Sequence, residues 1–172
     1  MSTPPFDPPD ESEIAIVSRQ IGRPARNVIG IAARCVCGAP TVVATGPRLD
    51  DGTPFPTLYY LTHPAATAAI STLEATGVMP KFAALLDDES TAAAYRAAHE
   101  SYIADRESLE CVAEIEGISA GGMPERVKCL HALAAHALAA GPGMNPIGDL
   151  ALEWAEWTPT VCECADYESS DG

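Results

Sequence analysis

The sequence predicts an α+β fold, with a small antiparallel sheet of about three strands near the N-terminus covered by a layer of four to six helices. Three observations carry this. Runs with a two-residue apolar period are confined to residues 28–62. After residue 63 the apolar residues recur at helical spacing. The 172 residues, 47% of them hydrophobic, suffice for one packed domain and are too few for two comfortable ones.

Residues 1–11 are Pro-rich and acidic and are expected as a disordered arm. Residues 12–157 are expected as a single α+β domain, and 158–172 as an acidic tail carrying Cys162 and Cys164. Ser12 can cap a short helix bearing Ile14, Val17 and Ile21, which Gly22 ends. From Val28 to Cys37 the alternation predicts a strand. Gly38-Ala39-Pro40 makes a turn, and Thr41 to Thr45 returns as a second strand. Thr57 to Thr62 is the third. His63-Pro64 opens a helix that reaches Gly77, because proline suits the first helical position. A short helix spans about 80–86, and another starts at Ser90 with Tyr95, Ala98, His99 and Tyr102 at helical spacing. Residues 111–115 read as a short strand. Pro124 is expected to open the most regular helix, ending near Ala140, and a last helix runs from about Pro146 to Trp157. The helices after residue 63 are the expected cover for the sheet.

The net charge of −14 belongs largely to the ends. Residues 1–13 hold four carboxylates and no base, and residues 149–172 hold seven. Between them 13 acids face ten bases. Such a field repels nucleic acid and anionic lipid, and no basic stripe with interleaved aromatics offsets it. No run of 18 apolar residues exists, and the N-terminus lacks the basic and apolar regions of a secretory signal. The expectation is a cytoplasmic protein that binds neither nucleic acid nor membrane.

The six cysteines stand at 35, 37, 111, 129, 162 and 164, including two Cys-x-Cys pairs. Without an export signal, metal ligation is a stronger reading than a disulfide framework. Cys35 and Cys37, alternating in a strand, point to one side, and Gly38 and Pro40 supply a knuckle-like turn. A zinc knuckle usually has Cys-x2-Cys, so the spacing departs from that pattern. His63 is held at the mouth of a helix. Cys129 and His136, seven apart, share a helix face, though about 10 Å separates them along its axis. The favoured metal set is Cys35, His63, Cys129 and His136, with Cys162 and Cys164 as additional or substitute ligands. Zinc comes first among the ions because thiolate and imidazole donors suit it. The bland alternative makes Cys129 a small core residue and His131 and His136 hydrogen-bonded packing residues.

Arg126, Lys128 and His131 form a candidate anion- or substrate-binding rim, with Gly121-Gly122 leaving backbone N–H groups free ahead of the helix. No Walker-type motif is present. A nucleophilic role for Cys129 with His131 or His136 is also open, but a thiol inside a helix is usually inert. Trp154 and Trp157 anchor the last helix or line a groove for a protein partner.

Two stretches, DGTPFPTLYYLTHP (51–64) and GMPERVKCLHALAAHALAAGPGMNPIGD (122–149), resemble the actinobacterial family known as domain of unknown function 501, and AAYRAAHESY (93–102) fits it as well. The resemblance runs from about residue 14 to 152. It implies a small cytoplasmic protein without an assigned activity, encoded near an exopolyphosphatase and a cell-division protein. The family pattern falls on Cys35, residues 54–64, Lys128 to His131, and His136, and it leaves out Cys37. It also implies a Cys in relatives where His63 stands here, an exchange that a metal ligand tolerates. Three functions are therefore expected, in order: a metal-binding protein of unknown reaction; a non-catalytic interaction module in a cell-division or phosphate-metabolism complex; and an enzyme handling a phosphorylated small molecule.

Overall fold

The computed structural model describes residues 6–164. Residues 1–5 of the expected arm at 1–11 and residues 165–172 of the expected tail at 158–172 lie outside the described residues. The fold is α+β, as the sequence predicts. Helix α1 (Glu11–Ile21) starts at Asp10, whose carboxylate accepts from the Glu13 N–H while the Glu13 side chain returns to the Asp10 N–H. This reciprocal cap satisfies two amide groups that would otherwise have no partner. Gly22, at φ 71°, ends the helix in the left-handed conformation that glycine adopts without penalty.

Strands β1 (Val28–Arg34), β2 (Pro40–Thr45) and β3 (Tyr59–Leu61) form an antiparallel sheet in the order β1-β2-β3. All six residues of β2 are buried, because the central strand is covered on both faces. Val42 and Ala44 face the main core, while Val43 packs with Ile31 and with Val17 of α1. Thus α1 covers part of the face opposite the later helices, a contribution that the pattern after residue 63 did not announce. Gln20 of α1 ties it to the sheet, donating to the Pro40 carbonyl and accepting from the Thr62 hydroxyl. Ahead of α1, Asp7 exchanges two backbone hydrogen bonds with Ile31, and the Phe6 ring lies over Gly30, where any side chain would collide with it.

Helices α2 (Pro64–Ala75), α3 (Met79–Ala84), α4 (Glu89–Glu107), α5 (Leu130–Ala140) and α6 (Pro146–Trp154) follow. Helix α5 is the centre of the layer. Leu130, Leu133 and Ala134 through Ala137 are buried. Gly148 of α6 lies against the Leu133 carbonyl and the Ala137 methyl, so only a hydrogen side chain permits this approach.

Two expected elements differ. Residues 113–115 form a single 3-10 turn rather than a strand. The buried Arg106 guanidinium takes the carbonyls of Ile115, Ile118 and Pro56, which tethers this segment by side-chain donors instead of a ladder. Pro124 does not open α5. Gly121 and Gly122, at φ 66° and 96°, reverse the chain, and the amides of Arg126 and Lys128 bond back to their carbonyls. The helix starts only at Leu130, with Cys129 in extended conformation at its N-cap.

Candidate metal centre

The loop between β1 and β2 is a tight turn. The Gly38 amide bonds to the Cys35 carbonyl at 2.8 Å, the Cys35 amide to the Ala39 carbonyl at 2.8 Å, and Gly38 has φ 94°. Cys35 and Cys37 are therefore turn residues rather than strand neighbours. A turn, more than a strand, aims the side chains of residues two apart at one point. After α6 the chain returns to this turn. Trp157 is buried with its ring 5.2 Å from the His63 imidazole, and the Val36 amide donates to the Pro159 carbonyl at 2.9 Å. That backbone bond brings Cys162 and Cys164 to the hairpin.

The sulfurs of Cys35, Cys37, Cys162 and Cys164 lie within 4.8 Å of one another, and Cys37 and Cys164 are 3.5 Å apart. Tetrahedral zinc with sulfur at 2.3 Å separates its ligands by about 3.8 Å. The spacing therefore suits a single ion. Cys35 is buried, Cys164 half-buried, and Cys37 and Cys162 exposed. The Ala39 N–H, followed by the neighbouring thiols, holds the Cys37 thiol below its usual range despite burial. Burial and then the Cys37 and Cys35 sulfurs push Cys164 well up. The Cys164 N–H favours the Cys162 thiolate, but Cys37 and desolvation outweigh it and the net direction is upward. Crowded thiols resist joint ionisation, and a bound dication removes that resistance.

His63 adjoins this cluster. Its Nδ1 accepts the Ala66 N–H at 3.4 Å as the cap of α2, so the ring proton resides on Nε2, 3.1 Å from the Cys164 sulfur. Burial keeps this imidazole below its ordinary pKa and hence neutral at pH 7. A neutral ring donating to a ligand sulfur is a common way to orient a metal site.

The favoured set from the sequence is divided among three places. Cys35 stands in the four-cysteine cluster, with His63 at its edge. Cys129 stands elsewhere, grouped with Glu74 and His131. His136 lies in the core, stacked on Tyr59 at 5.9 Å and edge-on to Tyr102 at 5.2 Å. Its Nδ1 accepts from the Asn145 amide at 3.2 Å, and its Nε2 has no partner among the described residues. Burial pushes its pKa down to about 4. Cys129 and His136 do not share a helix face, because Cys129 precedes the helix. The expected rim divides too. Arg126 and Lys128 are exposed, whereas His131 lines a cavity beside α2. Cys37, set aside in the choice of ligands, belongs to the cluster; the signal was the paired Cys-x-Cys spacing.

A family model described as a protein of unknown function (DUF501) matches residues 31–153. The chain belongs to this family. The match starts later than residue 14, and of the clustered cysteines it spans Cys35 and Cys37 but not Cys162 or Cys164. The DUF501 segment thus supplies the hairpin half of the cluster, and residues beyond it supply the other half. No curated protein and no solved structure matches the chain. No helix among the described residues is long and apolar enough to cross a membrane.

Proposed function

We propose that this protein binds one zinc ion through Cys35, Cys37, Cys162 and Cys164, and that the ion has a structural role, clamping the returning chain onto the β1–β2 turn. The observation that carries this reading is the convergence of four sulfurs, from two segments 125 residues apart, within 4.8 Å. Four thiolates complete a tetrahedral shell, so the ion has no open position for catalysis. His63 serves the site from outside by donating to Cys164. Protein purified without an affinity tag and dialysed against a weak chelator is expected to keep about one zinc per chain, lost in Cys37→Ser and in Cys164→Ser. Metal-free protein of unchanged stability, with these thiols freely reactive, would overturn the reading.

A second reading, an interaction module, is favoured by one feature of the same region. Val36 is 68% exposed and Val161 58% exposed, one on each chain segment that the ion would join. Scattered apolar residues on a surface are ordinary, but here both stand beside the clamp. A protein that co-elutes with the native chain and is lost from Val36→Asp supports this role; equal co-elution opposes it.

A further inference from the structure

Glu74, Cys129 and His131 form a group apart from the four cysteines, with one ligand atom from each lying within 4.8 Å of the others. All three are half-buried. The group exists because α5 starts late. With Cys129 extended at the N-cap and His131 in the first turn, both side chains turn toward α2, where Glu74 stands. Glu74 Oε1 accepts the Leu130 N–H at 2.8 Å and lies 3.5 Å from His131 Nδ1. His131 Nε2 is engaged on its far side by the Thr67 carbonyl at 3.3 Å and the Ser71 hydroxyl at 3.0 Å. The carbonyl can only accept, so Nε2 carries the proton and Nδ1 faces Cys129 and Glu74. A ligating imidazole is generally oriented in this way, one nitrogen toward the ion and the other donating to a backbone oxygen.

A cavity of about 670 Å³ opens beside the group. Cys129 and His131 line it, together with Tyr59, Tyr60 and Leu61 from the sheet, and Arg23 stands exposed at its mouth. Three protein ligands next to a cavity are the usual arrangement of a metal site with an open position, whereas four ligands close it.

The same residues also suggest a simple thiolate–imidazolium pair. His131 favours the Cys129 thiolate, and Cys129 in turn raises the His131 pKa. Geometry decides between the two: the Glu74 carboxylate lies within the same 4.8 Å as the thiol and the imidazole, a third donor that a metal site uses and a thiolate–imidazolium pair does not need.

We infer that Glu74, Cys129 and His131 bind a second divalent transition-metal ion, with zinc the best match, whose open coordination position faces the cavity and takes an oxygen donor of a small molecule with an apolar body. This site shares no ligand with the four-cysteine site and stands or falls separately.

The test is a cobalt titration of protein whose four-cysteine site has first been filled with zinc. One further Co²⁺ per chain is expected to bind, with tetrahedral visible bands and sulfur-to-cobalt charge transfer of one thiolate's strength rather than four. Glu74→Gln keeps an oxygen acceptor for the Leu130 N–H, so it leaves the helix start in place; it is expected to weaken Co²⁺ binding at least tenfold, and Cys129→Ser to remove the charge-transfer band. Acetohydroxamate, a small oxygen chelator, is expected to shift the visible bands by entering the open position. Absence of a second Co²⁺ in folded protein overturns the inference and leaves the four-cysteine site untouched. So does alkylation of Cys129 that is fast at neutral pH and unaffected by added metal, the behaviour of a nucleophilic thiolate. Loss of the first zinc in Cys164→Ser with retention of the second Co²⁺ would separate the sites the other way.

Discussion

The turn-and-tail cluster and the α5 core use the same residue types to opposite ends. At Cys35, Cys37, Cys162 and Cys164, sulfur atoms project from loops and converge within 4.8 Å of one another, two of the four residues exposed. At His136 an imidazole is stacked on Tyr59, edge-on to Tyr102 and fully buried, with Asn145 on its Nδ1. Ligand atoms become available where the backbone turns. Inside a packed helical layer they are consumed by contacts with aromatic rings.

The largest expected effect sharpens this contrast. If the cluster is a clamp, a strong chelator should lower unfolding free energy by about 4 kcal/mol, the contribution of an ion present at a thousandfold over its Kd. Urea denaturation with and without chelator measures it, and equal midpoints would break the comparison. Next comes pH. The buried His136 refuses a proton until about pH 4, whereas the unfolded chain takes one up near 6.5. The unfolded state then binds more protons across that window, so stability falls as pH drops from about 6.5 to 4, by up to about 3 kcal/mol. His136→Phe should flatten the slope in metal-free protein, and an unchanged slope would exclude His136 as its source.

A third prediction acts on the packed half alone. Gly148→Ala puts a methyl against the Leu133 carbonyl and should cost about 2 kcal/mol in thermal or urea unfolding, while zinc content stays constant. The smallest effect concerns the contact between the two regions. His63→Asn keeps an acceptor for the start of α2 but is too short to reach Cys164. Zinc affinity by competition with a chromophoric chelator should fall about tenfold, near 1.4 kcal/mol. An unchanged affinity would make His63 a cap and nothing more.

Much of the fold was legible in the residues. Period-two patterning marked the three strands, and His63-Pro64 marked the start of α2, because these signals are local. The start of α5 was not. Pro124 is a good first helical residue, but Gly121 and Gly122 fold the chain back through hydrogen bonds that no spacing rule displays. That six-residue difference matters for the site. It removes Cys129 from the His136 face and gives it to His131 and Glu74. The turn at Cys35–Gly38 had a similar effect, since a strand reading allowed both sulfurs one direction but did not reveal their partners.

By itself the sequence determined the class of fold, the order of most elements, and the inventory of thiol and imidazole groups, because periodicity, caps and composition are properties of neighbouring residues. Only the tertiary structure decided which of those groups meet. Residue 37 reaches residue 164 through the burial of Trp157 and one backbone hydrogen bond at Pro159, and residue 129 reaches Glu74 through the packing of α5 on α2. Such meetings depend on distances between segments far apart in the chain, which the three-dimensional packing of the core sets.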